Sequence, residues 1–416
     1  MNSKFLHRFA VPCVSRTLPN DLSAFAKKDM FYLRPNCILR KEPSGYLVVP
    51  PEHYPDAILI DEELRLLLES GPFSMENLPI FIAQMLIDGR IVQETPIKSK
   101  FMQVITVSED HLPFHALIES TVKCQCDCVT CYHAQDLDYP VPTLEEIISR
   151  IDHLKSLGIC QIELTGGEPL LRSDIGEILG YIDSQQLNYC LITNGEFICD
   201  QSDETIRKIA SGVGLAISID GIGETHDRIR NRPGLFKKVV AGIERAASYE
   251  ANTVLITTIN TTNLADLPEM ISLAERFGCL IHLRPTLPVG NAKVNNIKIE
   301  DLRSEVKRFF DHPNVLNGLI ATYKEASPAK FYGCRTYNRI SVAADGRIFP
   351  CVVDRGQYLG RIESYDQEKL RNELDKHNQA VLIANQKCTE CQLRLEGDFI
   401  CNGFCRFSKT YKKQSL

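Results

Sequence analysis

The stretch Lys123–His133, "KCQCDCVTCYH", places four of the chain's 16 cysteines within eight consecutive residues. It directly follows an apolar, strand-like run, "ALIEST", that begins at Ala116. Cysteines clustered in this way, in a chain expected to be intracellular, are typical of metal or redox chemistry rather than of a disulfide framework. We therefore expect a metal or redox site where this strand ends.

Length and charge exclude several classes of protein. The 416 residues leave room for two or three domains, and the formal net charge of −6 gives no basic excess for binding nucleic acid. The first twenty residues contain no apolar run typical of a signal peptide, and no uncharged apolar stretch of about 18 residues could span a membrane. We expect a cytoplasmic protein that binds neither nucleic acid nor membrane. Six scattered cysteines are interpreted as structural: Cys13, Cys37, Cys160, Cys190, Cys199 and Cys279.

Six apolar runs alternate with helical patterns through the middle of the chain. The runs are "ALIEST", "QIELTGG", "YCLITNG", "LAISIDG", "VLITTIN" and "LIHLRPT". Strand–helix units in this order indicate a parallel sheet with right-handed crossovers. Six strands are fewer than the eight of a closed TIM barrel. The expected fold class is therefore α/β, with a partial (β/α)6 TIM-like barrel whose chemistry lies at the carboxyl ends of the strands.

Two further units flank the predicted barrel, which spans residues 111–300. Residues 1–110 combine a hairpin, "CILR" and "YLVV" around Glu42-Pro-Ser-Gly45, with amphipathic helical segments. Small α+β units of this kind commonly bind a peptide by adding it to a sheet edge, and a structural lid is the alternative. Residues 301–416 contain a helical connector and a cysteine-rich region.

Two cysteine triplets are possible in the opening stretch. Cys124, Cys128 and Cys131 give C-x3-C-x2-C, whereas Cys126 in place of Cys124 gives C-x-C-x2-C. Cysteines separated by one residue in an extended loop tend to point to opposite sides. We therefore assign the first triplet as ligands and Cys126 to another role. Three thiolates on a [4Fe–4S] cluster leave one iron open to an external ligand, whereas electron-transfer clusters usually have four.

This spacing and context resemble the radical S-adenosylmethionine (SAM) superfamily. In that family the open iron chelates SAM, and one electron from the cluster produces a 5′-deoxyadenosyl radical, so the protein positions and shields the cofactor. "GGEP" at 166–169, "TNG" at 193–195, "SIDG" at 218–221 and "HDRIRNRPGLF" at 226–236 follow in the family's order. The resemblance implies SAM contacts by Tyr132, Gly166, Gly167, Glu168, Thr193, Asn194, Ser218, Asp220 and Arg230. Half of a zinc site is the alternative for the cysteine stretch, completed by the distant Cys388-x2-Cys391 pair.

The C-terminal cysteines resemble the SPASM extension of radical SAM maturases. Carried over, Cys334, Cys351 and Cys405 would bind one auxiliary [4Fe–4S] cluster, and Cys388, Cys391 and Cys401 a second. Two departures are that the gap between Cys391 and Cys401 is longer than in the family and that no cysteine follows Cys405. Asp398 is a candidate fourth ligand. A single auxiliary cluster and a zinc ribbon made of the last four cysteines are the alternatives.

The domain order implies a maturase of a ribosomally made precursor peptide. The N-terminal unit is similar to a small winged-helix-like, PqqD-like domain that would bind the leader, and the barrel would modify, by cross-linking, a core residue. An electron donor such as flavodoxin or ferredoxin is implied. The alternatives are sulfatase-maturase-like oxidation of a protein Cys or Ser, and a non-catalytic iron–sulfur or zinc scaffold. No general base is assigned. His133, His282 and Arg284 would face the cavity if the strand register holds.

Overall fold

The computed structural model describes residues 30–384 except 53–56, 79–81, 84–85, 88–89, 97–98, 111, 134–138, 288, 296–301, 310–311, 318–338 and 353–354. Of the cysteines predicted to bind auxiliary clusters, only Cys351 falls among these residues. The other predicted auxiliary ligands lie outside the described residues: Cys334, Cys388, Cys391, Cys401, Cys405 and the candidate Asp398. Their roles therefore stay predictions.

The N-terminal part contains two small sheets and a helix. The elements are β1 (Met30–Leu33), β2 (Ile38–Glu42), β3 (Gly45–Val49), β4 (Ile58–Ile60), α1 (Glu62–Ser70), β5 (Phe73–Ser74), β6 (Val92–Gln93) and β7 (Gln103–Thr106). The predicted hairpin is present as the antiparallel pair β2–β3. The strand orders are β4-β3-β2-β7 and β5-β1-β6, and β7 runs parallel to β2.

The middle of the chain forms a parallel sheet covered by helices. All six predicted strands are present, and each pairs in parallel with its neighbour in sequence. The strands are β8 (His115–Glu119), β9 (Gln161–Thr165), β10 (Asn188–Thr193), β11 (Gly214–Ser218), β12 (Thr253–Ile259) and β13 (Leu280–Pro285). The connecting helices are α2 (Leu144–Ser156), α3 (Ile175–Ser184), α4 (Asp203–Ser211), α5 (Glu224–Arg230), α6 (Leu235–Ser248) and α7 (Leu267–Arg276).

Alternation along each strand separates an apolar layer from a polar interior. On β9, Ile162 and Leu164 belong to the large apolar cluster between sheet and helices. Gln161, Glu163 and Thr165 are buried on the opposite face, because successive side chains of a strand point to opposite sides. A closed TIM barrel fills its interior with apolar side chains. The interior of this partial barrel is polar on β9.

The rest of the described chain extends the sheet at both edges. Its elements are α8 (Gly290–Val294), α9 (Arg303–Val306), β14 (Val315–Asn317), β15 (Arg339–Val342), β16 (Arg347–Phe349), β17 (Gly360–Arg361) and α10 (Gln367–Ala384). β14 pairs with β13, and β15 pairs in parallel with β8, giving a ten-stranded sheet. Within the described residues, no helix is both long and apolar enough to cross a membrane.

Arg40 joins the N-terminal part to the barrel. It lies on β2 with 1% of its surface exposed. Its guanidinium donates to the carbonyl oxygens of Leu112 at 2.8 Å, Pro113 at 2.8 Å and Gly158 at 3.0 Å. It also forms an ion pair with Glu42. Because these carbonyls precede β8 and β9, the N-terminal part docks at the amino ends of the strands, opposite their carboxyl ends.

We expect Arg40→Ala to destabilise the fold strongly. The substitution leaves Glu42 as a buried, uncompensated charge, which typically costs about 3–5 kcal/mol. Urea unfolding of the metal-free chain should therefore show a clearly lower midpoint. Lys208→Ala, which removes an exposed ion pair with Glu204 (2.8 Å), is the control and should unfold close to wild type. Equal midpoints for the two variants would contradict this role of Arg40.

Candidate functional site

The carboxyl ends of β8–β11 bring the four predicted motifs to one mouth of the barrel. Glu119 at the end of β8 is in register with Thr165 at the end of β9, and Thr193 of β10 with Ile217 of β11. The cysteine stretch therefore begins beside the Gly-Gly-Glu turn, as the parallel topology predicts. The roles predicted for the individual residues are not decided by this placement alone.

Gly166 and Gly167 dock against the backbone that leads into the cysteine stretch. The amide of Gly167 donates to the carbonyl of Thr121 at 2.7 Å, and the amide of Glu168 donates to the carbonyl of Lys123 at 2.8 Å. A Cβ on Gly166 or Gly167 would clash with the carbonyl oxygens of Thr121 and Lys123, respectively. Gly166 also has φ +144°, which favours glycine. The close backbone approach at these glycines is thus made to the protein's own chain.

We expect Gly167→Ala to displace the start of the cysteine stretch and to lower iron incorporation. The added methyl group would meet backbone atoms, which cannot yield as a flexible side chain can. Gly180→Ala on α3 is the matched control, because its Cβ would meet only the flexible Lys208 side chain, at 3.6 Å, and alanine favours a helix. Iron per chain after anaerobic reconstitution measures the difference. Full iron incorporation by the Gly167 variant would contradict the expectation.

The four thiols of the stretch do not separate into ligands and a distant bystander. The Cys126 thiol lies within interaction range of both the Cys124 and the Cys128 thiols, so the expectation that Cys126 points to the opposite side is not met. The loop curls back: the amide of Cys131 donates to the carbonyl of Cys128 at 3.1 Å. This turn lets residues 124–128 converge. The assignment of Cys124, Cys128 and Cys131 as the ligand triplet stays a prediction.

The surroundings favour thiolates at two positions. The neighbouring Cys126 thiol lowers the pKa of Cys124. The same thiol, aided by Arg230, lowers the pKa of Cys128 to about 7 despite its burial. Burial raises the pKa of Cys131 to about 11. Because iron–sulfur clusters are bound by thiolates, the environment of Cys128 suits a cluster ligand.

Asp220 and Arg230 form an ion pair beside the cysteines. Arg230 Nη2 lies 2.6 Å from Asp220 Oδ2, and Arg230 Nη1 donates to Cys128 Sγ at 3.8 Å. The Asp220 carboxylate also accepts the amide of Thr258 at 2.8 Å. Arg230 Nε is buried and has no hydrogen-bond partner in the part of the chain that the structure describes. A guanidinium with a spare N–H at this mouth can receive a carboxylate such as that of SAM.

Glu168 is bound by its own chain. Its carboxylate accepts Thr193 Oγ1 at 2.7 Å, the amide of Asn194 at 2.7 Å and the amide of Leu170 at 2.9 Å. Burial raises the pKa of Glu168 to about 7. Glu168 and Thr193, both predicted to contact SAM, therefore hold the ends of β9 and β10 together in this structure. Asn194 Nδ2 reaches Cys124 Sγ at 3.9 Å, and Ser218 lies half-buried at the end of β11.

The sequence reasoning missed Glu196. Its carboxylate accepts Gln125 Nε2 at 2.7 Å and forms ion pairs with Arg232 at 3.0 Å and Lys238 at 2.7 Å. Burial acts to raise the pKa of Glu196, but these hydrogen bonds outweigh it and lower the pKa to about 2. Since Gln125 lies between Cys124 and Cys126, Glu196 anchors the cysteine stretch. Its position directly after the "TNG" motif could have identified it as a candidate site residue.

The remaining candidates are found at the mouth and in the interior. Tyr132, predicted to contact SAM, is half-buried, and its ring centroid lies 4.3 Å from that of His133. The predicted strand register holds for β13: Ile281 and Leu283 pack in the apolar cluster, so His282 and Arg284 face the interior. Arg284 Nε contacts His282 Nδ1 at 3.4 Å. Cys351 is half-buried just beyond β16.

The thiols of the cysteine stretch are donors of the kind that bind iron–sulfur clusters. Across the described ranges, no three His, Cys, Asp or Glu side chains converge as ligands of one metal ion. A [4Fe–4S] cluster instead binds each thiolate to a different iron, so its ligands need not converge on one point. The Cys128 and Cys124 thiols, which accept hydrogen bonds from Arg230 and Asn194, are compatible with binding to different irons.

Sequence comparisons match a known family model to the residues of this site. Residues 118–274 match the model of the Radical SAM superfamily. The chain is 35% identical over 177 residues to the AdoMet-dependent heme synthase of Methanosarcina barkeri, covering 41% of this chain and 50% of that protein. It is 26% identical over 257 residues to the sporulation killing factor maturation protein SkfB of Bacillus subtilis, covering 59% and 62%. The chain thus spans about half to three fifths of the length of these relatives.

The fold also has a counterpart among solved structures. SuiB of Streptococcus suis, solved with bound S-adenosylmethionine, is similar with a TM-score of 0.64 and 15% identity, covering 87% of this chain and 93% of SuiB. SuiB has also been solved with its precursor peptide SuiA. At this identity the likeness concerns the fold alone, and it confirms the predicted α/β class with its partial barrel.

Proposed function

We propose that this chain, whose residues 118–274 match the model of the Radical SAM superfamily, is an enzyme that reductively cleaves S-adenosylmethionine and modifies a precursor peptide. The observation that carries the first part is the convergence, at one barrel mouth, of the cysteine stretch and the buried Arg230 Nε. A cysteine stretch alone would fit an electron-transfer centre. The added spare donor favours a cofactor that brings its own carboxylate.

The chain's residues would divide the work as follows. Cys124, Cys128 and Cys131 would hold a [4Fe–4S] cluster through three thiolates, which leaves one iron for SAM. When bound, the cluster would supply one electron for the reductive cleavage of SAM. Arg230, fixed by Asp220, would orient the SAM carboxylate through its free Nε–H. Glu168 would keep the strand ends in place.

The peptide substrate is supported by relatives and by architecture. SkfB is named a maturation protein, and SuiB has been solved with a precursor peptide. We propose that residues 1–110 bind the leader, that residues 111–300 form the radical SAM core, and that residues 301–416 carry one or two auxiliary clusters in a SPASM-like region. The modification would be a cross-link, with electrons supplied by a flavodoxin or ferredoxin in a reducing, cytoplasmic compartment.

A second substrate class is favoured by one pair of observations. The chain shares 35% identity with a heme synthase over 177 residues. Arg284 also lies on the interior face of β13, where its Nε is 3.4 Å from His282 Nδ1. Guanidinium groups bind carboxylates, which porphyrin substrates carry as propionates. A tetrapyrrole is therefore the second candidate substrate.

Mass spectrometry of one set of reactions tests both substrates. The full-length chain, reconstituted anaerobically and reduced with dithionite, would receive SAM and either precursor peptides encoded beside its gene or Fe-coproporphyrin III. We expect 5′-deoxyadenosine in every reaction and a mass change in a peptide only. A mass change in the porphyrin would establish the second candidate. Deoxyadenosine without a change in either substrate would overturn both substrate assignments but not SAM cleavage.

A further inference from the structure

An arginine from the C-terminal part reaches the strand end from which the cysteine stretch begins. Arg355 Nη2 forms an ion pair with Glu119 Oε1, the last residue of β8. Only 2% of the Glu119 side chain and 17% of the Arg355 side chain are exposed. The contact joins residues 236 positions apart in sequence. Removing Arg355 would leave the buried Glu119 carboxylate without its guanidinium partner.

The same pair contacts the far end of the cysteine stretch. His133 Nε2 lies 2.9 Å from Glu119 Oε1 and 3.4 Å from Arg355 Nη2. His133 packs against Tyr132 with ring centroids 4.3 Å apart. Glu119 precedes Cys124 by five residues, and His133 follows Cys131 by two. The Glu119–Arg355 pair therefore holds the two ends of the cysteine stretch close together.

Arg355 packs against one aromatic ring from the C-terminal part and one from the cysteine stretch. Its guanidinium lies 5.0 Å from the Phe349 ring centroid and 5.8 Å from the Tyr132 ring centroid. Burial lowers the pKa of Arg355 to about 10. Phe349 ends β16, two residues before Cys351. The C-terminal part thus reaches the cysteine stretch through one buried, stacked guanidinium.

We propose that Arg355 is a positioning residue, which holds Glu119 and through it both ends of the cysteine stretch, so that the C-terminal part sets the geometry of the SAM site. This inference rests on the proposed function, because it assigns a cluster and SAM to that stretch. The C-terminal part would then act on the SAM site mechanically, whether or not it carries auxiliary clusters. In this role Arg355 acts through Glu119 and His133 and not on the reacting groups.

The test uses the full-length chain in five variants besides wild type. They are Arg355→Ala, Arg355→Lys, Glu119→Gln, the double variant Glu119→Gln/Arg355→Ala, and Arg347→Ala as matched control. Arg347 also lies near Phe349, at 5.5 Å from its centroid, but its ion pair is local, with Asp345 at 2.7 Å. The readouts are the change that SAM causes in the EPR spectrum of the reduced protein, and kcat and KM for deoxyadenosine formation.

We expect Arg355→Ala and Glu119→Gln each to alter the SAM-dependent EPR change and to lower kcat/KM for SAM by about tenfold or more. The double variant should be no worse than the more damaged single variant, because both remove one interaction. Arg355→Lys should recover part of the loss, and Arg347→Ala should match wild type.

Three results would overturn the proposal. In the first, the losses of kcat/KM in the two single variants multiply in the double variant. In the second, Arg347→Ala has the same effect as Arg355→Ala. In the third, Arg355→Ala lowers heat stability but leaves the EPR response to SAM unchanged. Wild type that forms no deoxyadenosine would instead defeat the proposed function. If SAM still perturbs the EPR spectrum of such a wild-type protein, the EPR comparison tests the role of Arg355. If SAM does not perturb the wild-type spectrum, both the proposed function and the role of Arg355 are overturned.

Discussion

Replacing Cys124, Cys128 and Cys131 together by alanine should remove about four irons per chain and abolish deoxyadenosine formation. The reason is that a [4Fe–4S] cluster is held by cysteine thiolates, and three of them supply its protein ligands in the proposed site. Iron per chain after anaerobic reconstitution should fall from about twelve to about eight with two auxiliary clusters, or from about eight to about four with one.

Cys126→Ala is the internal control for this experiment. The Cys126 thiol contacts the Cys124 and Cys128 thiols, so its position alone does not separate it from the ligands. If Cys126 is not a ligand, its variant should keep the wild-type iron content and form deoxyadenosine. Loss of four irons in Cys126→Ala, with Cys124→Ala retaining them, would show that the other triplet binds the cluster. Unchanged iron in the triple variant would show that the stretch holds no cluster.

Arg230→Ala should lower SAM cleavage by about a hundredfold or more. Truncating one partner of a buried, hydrogen-bonded charge pair costs about 2–5 kcal/mol, and Asp220, with 2% of its side chain exposed, would lose its ion-pair partner. The free Nε–H proposed to bind the SAM carboxylate would also be lost. Deoxyadenosine formation at saturating and limiting SAM, together with equilibrium SAM binding, measures the effect.

The control for Arg230 is its neighbour on the same helix. Arg228 is exposed on α5, so Arg228→Ala changes the net charge equally without touching the pair. Arg230→Lys keeps the charge but loses the planar fork, and it should lie between wild type and the alanine variant. Arg230→Ala with wild-type SAM binding and a lower unfolding midpoint would reduce Arg230 to a structural role.

Periodicity was sufficient for the barrel because each strand pairs with its sequence neighbour. The runs that became β8–β13 are short, apolar and separated by amphipathic helices, so type and order followed from the pattern. The carboxyl ends of parallel strands lie on one edge, and the sequence alone therefore predicts that Cys124, Glu168, Thr193 and Asp220 lie at one mouth.

Long-range pairing could not be predicted in the same way. β15 pairs with β8 across more than 200 residues, and a strand pattern does not specify its partner. The Glu119–Arg355 contact depends on that pairing and was missed for the same reason. The predicted orientation of Cys126 was wrong for a different reason. Side chains alternate between two sides only in an extended chain, and this loop is curled. Gly166 and Gly167 of "GGEP" were predicted to contact SAM, and the structure shows them in close approach to the backbone of Thr121 and Lys123.

The most direct test of the central claim is the detection of 5′-deoxyadenosine by mass spectrometry after the reconstituted, dithionite-reduced chain is incubated with SAM. The proposed function predicts deoxyadenosine from wild type and none from the Cys124/Cys128/Cys131 alanine variant. A wild-type protein that binds its full complement of iron, yet forms no more deoxyadenosine than the variant, would contradict it.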